Sequence, residues 1–247
     1  MPELEELRAK VAQSCRILAM TGLVKEITGH VSARVRGTDE MFIRCRGDDE
    51  FGLPYTGPEA IRRLSFDGEG EGLGEHHVPP IELPIHGEIL RARPDIGCVV
   101  HAHPPYTLLC GMAGIEPRPV FGAYDPGGLA ISRQLAVYPR SVLISSKPLA
   151  ADLLKAMEGT NFCILRGHGI VVAGPTVEEA TINAIRLENL AKVCWHLSHH
   201  GPLPEISKED VQSFLGTPTN PRVARGTEWV WRYYARLEES WTPSVMD

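Results

Sequence analysis

The chain has 247 residues, 43% hydrophobic and 23% charged, which suits one large globular domain or two small ones and excludes disordered, collagenous and low-complexity classes. Its net charge is −6, from 31 acidic against 25 basic residues, and no Lys/Arg run interrupts it, so no nucleic-acid partner is expected. No stretch approaches the roughly 18 apolar residues of a membrane span, the N-terminal MPELEELRAK lacks the apolar core of a signal peptide, and no membrane partner is expected either.

In chain order, apolar spacing predicts a helix over 4–20. Alternation predicts a strand over 30–36, paired with 41–45, and a Gly- and acid-rich loop over 66–80. A helix is expected over 82–93, with Pro84 in its first turn. The β-branched run 96–103 reads as a buried strand ending in two histidines and Pro104-Pro105. A helix over 127–137, a short strand over 141–145 and a helix over 147–157 follow. Strands 161–166 and 169–173 flank the turn Gly167-His168-Gly169. Thr176 and Glu179 form a capping box that opens a long helix to about His199, and 222–239 reads as an aromatic C-terminal helix. Interspersed strands and helices indicate a layered α/β or α+β domain. We expect one domain over 1–247, with a helical extension from about 205. The six scattered cysteines, without a C-x-x-C pair, read as buried thiols of a cytoplasmic protein.

Ten histidines is a high count, and several fall in short clusters. His101 and His103 form H-x-H at a strand end, where residues two apart share a face. They are either a ligand pair for a divalent ion or two histidines beside a turn. His168, between two glycines, can be aimed at a neighbouring element; its alternative is a hairpin turn with an incidental histidine. Three histidines with an open position would make a catalytic metal site. Glu82 stands where the next helix opens, either as a partner of the helix dipole or as a general acid/base or fourth ligand. His86 is one turn on and reads as a packed residue near the site.

These motifs together resemble the class II aldolase/adducin family. The matching segments are GLVKEITGHVSARV at 22–35, Glu82-x-x-x-His86, RPDIGCVVHAHPP at 93–105, and RGHGIVVAG followed by a long helix, so the likeness covers about residues 5–200. The resemblance implies a three-layer α/β/α sandwich around a mixed, mostly antiparallel sheet. It implies one divalent ion per subunit on His101, His103 and His168, with Zn2+ or Mn2+ first and Fe2+ or Co2+ as alternatives. It also implies Glu82 as acid/base, and a homo-oligomer, a tetramer in first place, with sites at subunit boundaries. Tyr124 matches approximately a tyrosine that donates a proton across such a boundary. Tyr233, in the aromatic C-terminal helix, would close a neighbour's site.

Departures from the sugar-phosphate members point to the substrate. Gly29-His30-Val31-Ser32 replaces their GN-x-S element, Arg44-Cys45-Arg46-Gly47 replaces a small Ser/Thr-Gly turn, and Pro80-Ile81 stands where a Ser pair is usual. Histidine and arginine at that wall suit a carboxylate. His30, Arg44, Arg46 and His77 are therefore substrate-binding candidates. The stretch RCRGDDEFGLPYT resembles the branch that decarboxylates hydroxylated aromatic or pyridine dicarboxylates. The expected enzyme is a carboxy-lyase acting through a metal-stabilised enolate. The alternatives are an aldolase for a non-phosphorylated hydroxy-keto acid, a three-histidine iron oxygenase, and a non-catalytic adducin-like interaction domain.

Overall fold

A computed structural model describes residues 2–70, 73–122, 124–132, 134–216 and 226–243. The strands are β1 His30–Arg34, β2 Glu40–Arg44, β3 Ile61–Ser65, β4 Cys98–Ala102, β5 Leu135–Tyr138, β6 Phe162–Leu165 and β7 Gly169–Gly174. They form a seven-stranded sheet in the order β3-β2-β1-β4-β7-β6-β5. Only β5 and β6 run parallel; the other neighbours are antiparallel.

The helices are α1 Pro2–Met20, α2 Leu83–Ala92, α3 Pro105–Ala113, α4 Pro126–Ser132, α5 Lys147–Met157, α6 Val177–Ser198, α7 Lys208–Gly216 and α8 Gly226–Ser240. Strand alternation sorts the side chains into two cores. Val31, Ala33, Cys98, Val100, Ile164 and Val172 face α1 and α6. Met41, Ile43, Val99, Leu165 and Val171 face α2 and α5. The result is the expected three-layer α/β/α sandwich around a mixed, mostly antiparallel sheet. In this alternation His30 and Ser32 of β1, and His101 of β4, fall on the α2 side. α8 docks on α1 and α6 through Trp231, Val230 and Tyr234, and Arg16 Nε donates to Glu238 at 2.6 Å.

Two expectations need correction. The helix foreseen over 127–137 ends at Ser132, and Leu135–Tyr138 is the edge strand β5. Its Leu-Ala-Val-Tyr composition suits an extended ladder beside β6 better than a helix. The strand foreseen over 141–145 is irregular: β5 already holds the edge beside β6, so the Val142–Ile144 run has no ladder to join, although Ile144 is buried. Unforeseen are β3, where Arg62-Arg63 breaks the alternation, α3 directly after Pro104, and α7. The expected start of the C-terminal helix, at 222–225, lies outside the described residues. All six cysteines are buried free thiols. Among the described residues no helix is long and apolar enough to cross a membrane.

Candidate active site

The site lies where the H-x-H end of β4 meets the β6–β7 turn and the start of α2. His101 sits at the centre of the sheet, paired with His30 on one side and Val171 on the other. Its Nδ1–H donates to the Ile170 carbonyl at 2.9 Å, which fixes the tautomer and leaves the Nε2 lone pair facing outward. His103, just beyond the strand, brings its Nε2 within 3.0 Å of that atom. The turn carrying His168 is possible because Gly167 adopts φ +63°, and a Cβ on Gly169 would collide with the Ala102 carbonyl and the His103 ring.

Glu82 completes the cluster. It caps α2 by position, yet its side chain makes no cap hydrogen bond to that helix. Its Oε1 instead accepts the backbone N–H of Ile144 at 2.8 Å. Oε2 then lies 3.2 Å from His101 Nε2 and 3.3 Å from His168 Nε2. One ligand atom from each of Glu82, His101, His103 and His168 falls within 4.8 Å of all the others.

This cluster fits a divalent cation. His101 and Glu82 meet lone pair to lone pair, a repulsive contact unless a cation lies between them. Both ring nitrogens of His168 are buried without a hydrogen-bond partner, a cost of about 1–3 kcal/mol per group that a ligand bond would offset. Three of the six ligand-atom separations, at 3.0–3.3 Å, are close to the roughly 3.3 Å edge of a tetrahedron with bonds of about 2.0–2.1 Å. Burial, with His101 and His168 adjacent, lowers His103 to about 4, so it is a neutral donor near pH 7.

The other sequence candidates are placed more widely. His30 stacks on His101 with ring centroids 5.0 Å apart and adjoins the cluster. Arg44 is buried, and its guanidinium is taken by Glu50 and by Thr56 Oγ1 at 3.1 Å. Arg46 donates to the Ile27 carbonyl at 3.2 Å. His77 bonds Arg62 at 3.2 Å and lines, with Arg44 and Tyr55, a groove of about 570 Å3. Tyr124 and Tyr233 are exposed, at 80% and 60%, and make ring contacts with Phe121 and Tyr234 respectively.

Two residues that the sequence did not single out support the site. Glu188 of α6 accepts the N–H groups of Tyr106 and Thr107 at 2.8 and 2.9 Å, and the Thr107 hydroxyl at 2.7 Å. It thereby anchors the start of α3 directly after the H-x-H segment. A glutamate on the apolar face of a long helix was its only signal. Ser32 holds His86 from the opposite wall; a polar residue at an inward strand position was its signal.

Residues 9–195 match the family described as Class II Aldolase and Adducin N-terminal domain. The chain is 40% identical to 3,4-dihydroxyphthalate decarboxylase of Arthrobacter keyseri, over 95% of each chain. It is 39% identical to the protein of the same name from Rhodococcus jostii (strain RHA1), over 94% of this chain and 95% of that one. Among solved structures, an aldolase II superfamily protein from Pseudomonas syringae superposes with a TM-score of 0.79 at 22% identity, covering 96% and 95% of the two chains. At that identity it speaks for the fold alone. The strand order, the His/Glu cluster and the match over residues 9–195 agree: this chain belongs to the class II aldolase and adducin family.

Proposed function

We propose that this protein is a metal-dependent decarboxylase of a hydroxylated aromatic dicarboxylate, of the dihydroxyphthalate class. The observation that carries this reading is 40% identity to a 3,4-dihydroxyphthalate decarboxylase across 95% of both chains. A 5-methylthioribulose-1-phosphate/5-deoxyribulose-1-phosphate aldolase from Rhodospirillum rubrum aligns at 31% over 76% of this chain. The rebuilt wall at His30 and Arg46 supports a carboxylate in place of a sugar phosphate.

In this reading His101, His103 and His168 hold a divalent ion, Zn2+ or Mn2+ in first place, with Glu82 beside it. The ion supplies a Lewis acid for the electron pair left when the carbon–carbon bond breaks, worth several kcal/mol. Glu82 moves the proton: its Oε1 is fixed by Ile144, so Oε2 is held at a set position beside His101 and His168. His30 and Arg46 orient the substrate carboxylates. Tyr124 and Tyr233 serve a neighbouring subunit's site in a homotetramer, which fits their exposure in a single chain. Residues 1–247 form one cytoplasmic domain with a C-terminal helical extension.

The test is CO2 release by metal-loaded protein against dihydroxyphthalates, hydroxypyridine dicarboxylates and dihydroxybenzoates, with hydroxy-keto acids followed for carbonyl products. Metal-dependent CO2 from an ortho-hydroxy aromatic acid is expected. Carbonyl products without CO2 would replace the decarboxylase with an aldolase.

A further inference from the structure

Three buried polar side chains outside the cation cluster form a line that ends at His30. Ser32 Oγ and His86 Nδ1 are 2.7 Å apart, and His86 Nε2 and His30 Nδ1 are 3.0 Å apart. Ser32 and His86 are fully buried, and His30 is 6% exposed. The geometry follows from the fold. His30 and Ser32 are two apart on β1 and share its α2-facing side. His86 lies one helical turn after Glu82, so one face of α2 presents Glu82 to the cation cluster and His86 to β1.

The direction of the hydrogen bonds can be worked out from Ser32. A buried hydroxyl has one proton to place, and leaving it unpaired is costly. Among the described residues, His86 Nδ1 is the one hydrogen-bond partner of Ser32 Oγ. The hydroxyl therefore donates to His86 Nδ1. His86 then carries its own proton on Nε2 and donates it to His30 Nδ1. With Nδ1 an acceptor, a neutral His30 carries its proton on Nε2, the ring nitrogen turned away from His86.

We propose that Ser32 and His86 are positioning residues that lock His30 as its Nε2–H tautomer, so that His30 offers the substrate a hydrogen-bond donor and not a proton acceptor. The ring that makes this offer is stacked on the His101 ligand ring, so the donor stands beside the cation cluster. A neutral donor there suits an anionic oxygen, a carboxylate or a phenolate, and leaves Glu82 to handle protons alone. The assignment of that oxygen to substrate rests on the decarboxylase reading; the tautomer does not.

The experiment is a long-range 1H–15N correlation spectrum of 15N-histidine-labelled, Zn2+-loaded protein, with His30 assigned by its absence in His30→Ala. A protonated Nε2 and unprotonated Nδ1 on His30 are expected. The reverse pattern overturns the proposal. Ser32→Ala removes one atom and adds none; with full metal content it should shift the His30 and His86 signals toward the other tautomer. It should also raise KM for the aromatic acid roughly tenfold while kcat changes less than about threefold, the mark of lost binding that is uniform between ground and transition state. Unchanged ring signals in Ser32→Ala overturn the role given to Ser32. The expected spectrum with no CO2 from any aromatic acid would sink the decarboxylase reading and leave the tautomer standing.

Discussion

Glu82 Oε1 accepts the backbone N–H of Ile144, 62 residues further along the chain, at 2.8 Å. This bond turns the carboxylate away from its own helix and toward His101 and His168. Glu82→Gln keeps an oxygen for that N–H and removes the charge. If Glu82 is the proton shuttle, kcat falls by about 10²–10⁴ while metal content, measured by inductively coupled plasma mass spectrometry, stays near wild type. A matching loss of metal would make Glu82 chiefly a ligand.

Removing the metal should cost stability as well as activity. At a free metal concentration of about 100 times Kd, binding adds roughly 2.7 kcal/mol. For a chain of this size that is a Tm difference of about 5–10 °C between metal-loaded and EDTA-treated protein. His168→Ala should abolish this EDTA-sensitive shift in differential scanning calorimetry. A full shift in that variant would mean that His168 does not contribute to ion binding.

Glu188→Ala leaves the buried Thr107 N–H and the half-buried Tyr106 N–H at the start of α3 without their acceptor, and the Thr107 hydroxyl with only the Pro104 carbonyl at 3.4 Å. A loss of about 2–4 kcal/mol in urea unfolding is expected from groups costing roughly 1–3 kcal/mol each, with partial relaxation. Because α3 follows His103 almost directly, the variant should also bind metal more weakly. Unchanged metal affinity would limit Glu188 to stability.

Burial, with the His101 ring behind it, holds His86 at about 3, against about 6.5 in an unfolded chain. Between those values the unfolded chain binds a proton that the folded protein refuses. This contribution is therefore fully present above about pH 6.5 and is lost as pH falls toward 3, at about 1.4 kcal/mol per pH unit. Urea unfolding of metal-free protein between about pH 7 and 5 should show this decline, and His86→Gln should flatten it. Equal slopes in the two proteins would contradict the neutral buried imidazole.

Where a local pattern has a tertiary cause, the sequence was readable. His101 and His103 stood out because a β-branched run ended in them, and His168 because two glycines permit its turn. The capping box at Thr176 is present, with the Glu179 N–H donating to Thr176 Oγ1 at 3.1 Å. What stayed hidden depends on partners far away in sequence. Val142–Ile144 has the alternation of a strand, but whether a ladder awaits it depends on β5. Arg44 looked like a free cation on a substrate wall; its pairing with Glu50 comes from how the 48–60 segment folds back. Ser32 and Glu188 are common residue types whose importance lies in the groups they meet.

The order of strands has a consequence for biosynthesis. β7, the last strand among the described residues, lies between β4 and β6 in the interior of the sheet. Until residues 169–174 leave the ribosome, β4 presents an unpaired edge, and that edge carries His101 and the approach to His103. An emerging chain thus exposes a sticky, β-branched ladder next to two ligand histidines while the third has yet to arrive. Docking of β7 closes that edge and delivers His168 in the same movement, so the centre is completed only when the sheet is sealed. A chain truncated before Gly174 would be both metal-deficient and prone to edge-to-edge association.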